Sequence, residues 1–233
     1  MSKTYRGLTR TQIAKTLDHS VLKPNATYED VTTGAAVSLA EDVASYCIRP
    51  MDVAVAHKAL CESNVPVCTV IGFPHGSTTT EVKVFETKQA IELGATEIDM
   101  VLNVSALISG DLAFVEQDIA AVVSAARETR LPIVVKVIFE TALLNLDQVK
   151  TACVLSESAG ADYVKTSTGF ASAGATLEHV HLMKECVGDR LKVKASGGVR
   201  TLDQVVDFIE AGVSRCGTSI ADEILKEFDE KSE

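Results

Sequence analysis

Short runs of β-branched residues alternate with longer amphipathic segments along the whole chain, and no other feature limits the fold as much. Strand-like runs are expected near residues 16–20, 43–48, 66–71, 96–101, 133–138, 162–167, 191–196 and 213–217. Helical periodicity falls between them, near 27–39, 51–63, 79–93, 112–129, 146–158, 176–187, 201–211 and 219–228. The hydrophobic period thus switches repeatedly between two and 3.6 residues. Glu92-Leu93-Gly94-Ala95, Ser158-Ala159-Gly160-Ala161 and Glu210-Ala211-Gly212-Val213 repeat one punctuation, a glycine where a helix stops and a strand follows. Capping-box spacing at Thr27…Asp30, Thr78…Glu81 and Thr201…Gln204 marks helix starts. Pro66 and Pro132 stand at strand starts, where a missing N–H does least harm.

Eight strand–helix units in 233 residues fit a (βα)8 TIM barrel in count and length. A short extra helix near residues 8–15 is placed to close its bottom. The competing architecture is an open doubly wound sheet, but no two glycines have the G-x-G spacing of its dinucleotide fingerprint. With no linker, low-complexity tract or charge run to divide it, the chain is expected to form one domain over residues 1–233.

Hydrophobic residues make up 46% and charged ones 23%, the balance of a folded globular chain, and apolar runs are too short to span a bilayer. No membrane partner is expected. A net charge of −10 argues against nucleic acid, whose recognition leans on clustered cations, and leaves room for a small anionic substrate. The N-terminus lacks the apolar core of a signal peptide. Six cysteines with no C-x-x-C pair read as reduced thiols of a cytoplasmic protein.

Function in such a barrel sits where strands end. Asp18, Cys47, Asp99, Lys136, Lys165 and Lys194 fall on the first, second, fourth, fifth, sixth and seventh strands. Strand alternation turns Lys165 away from Val164 and Thr166, and Lys194 away from Val193 and Ala195. An ammonium in a barrel wall is costly to desolvate. A free lysine is neutral in only roughly one molecule in 2,500 at pH 7, and a second cation nearby raises that fraction. Lys194 or Lys136 is a candidate for that cation, and the pattern points to Schiff-base chemistry. The competing view, that strand-end lysines snorkel to solvent, weakens when three share the inner face. Asp99 lies amid apolar residues and needs a partner, either as a structural ion pair or as a proton shuttle. Asp18 is a candidate to orient a lysine. Cys47 reads first as a small buried hydrophobe, and as a reactive thiolate if it faces a pocket near lysines. Glu97 and Lys192 share the inner face one layer lower, which predicts a buried ion pair between them.

Ser196-Gly197-Gly198 and Gly217-Thr218-Ser219 follow adjacent strands and form a candidate anion cradle. Gly169…Gly174 lacks the lysine of a P-loop, and no G-x-S-x-G or H-E-x-x-H occurs. His179 and His181 point in different directions on a helix, and His19, His57 and His75 are scattered, so no metal site is expected. Nor is any cofactor.

Taken together, Leu-Asp-His-Ser-Val-Leu-Lys-Pro, Val-Ile-Gly-Phe-Pro-His-Gly, Glu-Ile-Asp-Met-Val-Leu-Asn, Val-Lys-Thr-Ser-Thr-Gly-Phe and Val-Lys-Ala-Ser-Gly-Gly-Val-Arg-Thr resemble the deoxyribose-phosphate aldolase family, from about Leu17 to Ile220. These are class I, lysine-dependent aldolases on a barrel. The resemblance implies Lys165 as the Schiff-base lysine, with Asp99 and Lys194 as a proton-relay pair. It also implies that Thr168, Gly169, Ser196, Gly197, Gly198, Gly217, Thr218 and Ser219 bind the phosphate of a sugar phosphate, that aldehydes are the other reactants, and that the enzyme is a homodimer. One departure is the tail. Some relatives carry a C-terminal tyrosine suggested to help proton transfer, whereas no tyrosine follows Tyr163 here. The alternatives are a class I or transaldolase-like aldolase with a larger donor, and a silent barrel that only binds sugar phosphates.

Overall fold

Valine, isoleucine and alanine on alternate strand positions need an apolar partner layer, and helices supply it on the outside of a closed parallel sheet. The computed structural model describes residues 3–129 and 131–232. Residues 1, 2, 130 and 233, which the single-domain expectation included, lie outside the described residues.

Strands β3 (Leu17–Val21), β4 (Ser45–Ile48), β5 (Val67–Ile71), β6 (Glu97–Val101), β7 (Val134–Ile138), β8 (Tyr163–Lys165), β9 (Lys192–Ser196) and β10 (Arg215–Thr218) form a closed barrel in chain order, with β10 pairing back onto β3. Every pairing is parallel. Helices α2 (Tyr28–Ala40), α3 (Val53–Leu60), α4 (Thr80–Glu92), α6 (Leu112–Arg127), α7 (Leu146–Ser158), α8 (Leu177–Val187), α9 (Leu202–Glu210) and α10 (Ala221–Lys231) follow the strands. This is the predicted (βα)8 barrel. Its apolar core lies between strands and helices, where Ile98, Val135, Val164 and Val193 meet Ile119, Val149, Val180 and Val205. The barrel's inner face is instead largely polar, with Asp18, Glu97, Asp99, Lys136, Lys165 and Lys194 all buried.

Several local details differ from expectation. Before the barrel, β1 (Thr4–Tyr5) and β2 (Leu8–Thr9) form an antiparallel ribbon, so the extra helix α1 (Arg10–Ala14) starts later than residue 8. Thr9 and Gln12 cap it reciprocally. Capping boxes occur at Thr27/Asp30 and Thr201/Gln204 as expected, but α4 begins one residue later than the Thr78 spacing implied, with Thr79 as an N-cap whose side chain makes no capping bond. A short helix α5 (Val104–Ile108), capped by Asn103, was not foreseen between β6 and α6. Gly94, after α4, sits at φ +109°, where an added Cβ would lie 2.3 Å from the His57 ring. No helix among the described residues is long and apolar enough to cross a membrane.

Candidate active site

The register of the parallel strands decides which inner-face side chains meet. Asp99 is the Cα partner of Lys136, and Lys165 that of Lys194. Asp99 is fully buried and receives three ammonium groups: Lys136 Nζ donates to Oδ1 at 2.8 Å, while Lys165 and Lys194 donate to Oδ2 at 2.7 and 2.8 Å. Burial alone would raise the Asp99 pKa, but the three cations outweigh it and hold the carboxyl well below the usual range.

Two further acids complete the pattern. Lys194 Nζ also touches Asp18 Oδ2, and Lys136 Nζ donates to Glu97 Oε2 at 2.6 Å. Arg215 donates to Asp18 Oδ1 at 2.5 Å and to Glu97 Oε1 at 2.9 Å. The contacts close a ring in the order Arg215, Asp18, Lys194, Asp99, Lys136, Glu97 and back to Arg215. Its three carboxylates and three cations balance. Burial opposes charge on Lys136, Lys194 and Arg215, yet the flanking carboxylates push all three pKa values above their ordinary ones. Asp18 is held low against its own burial by Lys194 and Arg215.

Lys165 stands outside the ring. Among the described residues it has one anionic contact, an oxygen that Lys194 already uses. Its proton is therefore the one whose loss leaves the cluster neutral. Lys194, a candidate for the neighbouring cation, is itself matched by Asp18 and Asp99.

An open cavity of about 1000 Å³ sits over this cluster at the C-terminal ends of the strands. It is lined by Asp18, Cys47, Lys165, Lys194 and all eight expected phosphate-binding residues, whereas Asp99 and Lys136 lie beneath. Gly169, Gly197 and Gly198 have φ of +88°, +84° and +76°, so backbone rather than side chains forms that wall. The hydroxyls expected there are engaged elsewhere. Thr168 donates to the Glu140 carboxylate, Ser196 to the Ser167 carbonyl, and Thr218 to the Val199 carbonyl at 2.9 Å. Ser219 is exposed. Sequence reasoning missed Gly174, where a Cβ would lie 2.0 Å from the Gly197 carbonyl oxygen, so side-chain-free backbone lets the two loops cross. It also missed the exposed rim cations Lys23 and Arg200, legible only as single charges in loops.

Glu97 does not pair with Lys192. That lysine is exposed at the start of β9, its Nζ 5.6 Å from the Tyr163 ring centroid, while Glu97 is taken by Lys136 and Arg215. Cys47 is buried at the cavity floor, and its thiol, the Cys68 thiol and an Asp99 oxygen lie within 4.8 Å of one another. Three ammonium groups on the same carboxylate make this donor set a poor host for a divalent cation.

Carbonyl chemistry by an amine suits such a floor, where one ammonium has half a counter-ion and every other charge is matched. On a parallel barrel this defines an aldolase-type enzyme. The chain belongs to the DeoC/LacD family of aldolases, whose family model matches residues 12–220. The deoxyribose-phosphate aldolase of Bacillus mycoides is 54% identical over 207 residues, 89% of this chain and 92% of that protein. That of Streptococcus gordonii is 51% identical over 215 residues, 92% and 96% of the two chains. Among solved structures, the deoxyribose phosphate aldolase from Aeropyrum pernix, described as a unique tetramer, superposes with a TM-score of 0.88 at 31% identity over 95% of this chain and 92% of its own. An aldolase designated QR15 gives 0.89 at 39% identity over 94% and 96%.

Proposed function

We propose that the chain catalyses reversible aldol cleavage of 2-deoxy-D-ribose 5-phosphate to D-glyceraldehyde 3-phosphate and acetaldehyde. In the synthetic direction, the neutral Lys165 amine adds to the carbonyl carbon of acetaldehyde. The carbinolamine oxygen takes up a proton through water and leaves as water, and the iminium that remains is an electron sink that makes the adjacent methyl group acidic. Asp99, through water, takes one methyl proton and gives the enamine, and Lys194 shares the proton on the same carboxylate oxygen. The enamine carbon bonds to the carbonyl carbon of the phosphorylated aldehyde, whose oxygen takes up a proton. Hydrolysis then releases the sugar phosphate and the Lys165 amine.

One observation carries this reading: Lys165 is the amine left over from a neutral ring and the lysine that meets the cavity beside Lys194. Asp18 and Lys136 hold Lys194 and Asp99 in place. The phosphate would meet backbone amides of Gly169, Gly197, Gly198 and the Gly217-Thr218-Ser219 turn, with Thr168 and Ser196 fixing the loops. Cys47 forms part of the floor. A homodimer is proposed as the assembly. Six free cysteines suit a reducing cytoplasm. Borohydride reduction in the presence of acetaldehyde tests the reading. A stable ethyl adduct mapped to Lys165 is expected, and an unmodified Lys165 in an active preparation would refute it.

A further inference from the structure

Glu97 and Arg215 belong to the ring but touch no reacting atom. We propose that they are positioning residues that close the charge ring and so determine which amine of the barrel gives up its proton. The proposal rests on the Schiff-base role of Lys165.

Each ring cation spans two carboxylates, and Arg215 joins the two that Asp99 does not supply. Without its charge, Asp18 Oδ1 and Glu97 Oε1 lose their donor and the ring carries a surplus negative charge. A protonated Lys165 would cancel that charge, so the amine would hold its proton to higher pH. Without the Glu97 charge the surplus is positive, and Lys165 would lose its proton at lower pH. The ionisable groups around Lys165 come from the two strands paired with β8, Lys136 on β7 and Lys194 on β9, and from strands across the barrel, Asp18 on β3, Cys47 on β4, Cys68 on β5 and Asp99 on β6. Behind them lie Glu97, Arg215 and Tyr163, whose ring centroid is 5.8 Å from Lys136 Nζ and 6.0 Å from the Arg215 guanidinium carbon. In the loop after β7, Glu140 is occupied by Thr168. Glu97 and Arg215 are thus ring charges that can be changed while every direct contact of Lys165 is kept.

The test is the pH dependence of kcat/KM, whose acid limb reports deprotonation of the free enzyme's nucleophile. Glu97→Gln should move that limb down by about one pH unit and Arg215→Met should move it up by a similar amount, the size expected of one nearby charge. Arg215→Lys should leave it in place. Shifts of opposite sign are not produced by general loosening of the barrel. Glu97→Gln is isosteric and keeps one of the two acceptor oxygens that Lys136 and Arg215 use, so it tests the proposal even if Arg215→Met does not fold. An unmoved or upward-shifted limb in Glu97→Gln, with the borohydride adduct still forming at Lys165, would overturn the ring proposal alone. No adduct in the unaltered enzyme would overturn the Schiff-base reading and this proposal with it.

Discussion

Replacing Asp99 by asparagine should separate the observed job of its carboxylate, holding three ammonium groups together, from the proposed one, carrying a proton. The ring loses one of its three anions while all its cations remain buried. Removing one partner of a buried ion pair costs about 3–5 kcal/mol. For a domain of this size, each kcal/mol lowers the melting temperature by roughly 2–4 °C, so a drop of about 6–20 °C is expected. The surplus positive charge also favours a neutral Lys165, so the amine should still form its adduct, and at lower pH than before. The enamine step should suffer instead, by roughly 10²- to 10⁴-fold, the usual worth of a positioned acid–base group. Exchange of acetaldehyde methyl protons with deuterated water, followed by NMR, measures that step without the second substrate. Borohydride trapping measures the step before it. Exchange that stays fast while trapping fails would reverse the assignment, and a change confined to KM would contradict it.

Lys165→Ala should abolish turnover yet leave a folded barrel by circular dichroism, because Lys136 and Lys194 still neutralise Asp99; residual aldolase activity would remove Lys165 from its role. Gly197→Ala places a Cβ 2.9 Å from the Gly174 Cα at φ +84°, and should raise KM for the phosphorylated sugar at least about 10-fold, or about 1.4 kcal/mol. Cleavage of unphosphorylated deoxyribose should change much less, and equal losses on both substrates would contradict a phosphate cradle. Asp18 and Asp99 have folded pKa values depressed by their cations, so their stabilisation is present above the unfolded value of about 3.9 and lost as pH falls below it. Denaturant midpoints should therefore fall more steeply below about pH 4 in the parent than in Asp99→Asn, and parallel curves would refute the linkage.

The strands were legible because short β-branched runs switch the hydrophobic period between helical segments, and their expected limits agree within about two residues. Lys165, Lys194, Lys136, Asp99 and Asp18 could be placed on the inner face by alternation alone. Alternation does not say how far apart two inner-face residues lie across a closed barrel. Glu97 and Lys192 occupy the same kind of position, yet Lys192 starts its strand at the exposed rim, while Lys136, in register with Asp99, reaches diagonally to Glu97 and closure brings Arg215 to it. Lys83 on α4 was illegible for a related reason. A helical lysine reads as solvated, but this one is fully buried, donating to Asp118 of α6 at 2.5 Å and to the Val101 carbonyl at the end of β6 at 3.0 Å. The inner face offers three carboxylates and four cations, but alternation counted Lys192 among the cations and did not single out Arg215. Which cation is left with half a partner depends on the pairing, and pairing exists only once β10 has met β3. The chemistry proposed for Lys165 is in this sense a property of barrel closure, since the same side chain on an open sheet would have no neutral ring to stand outside.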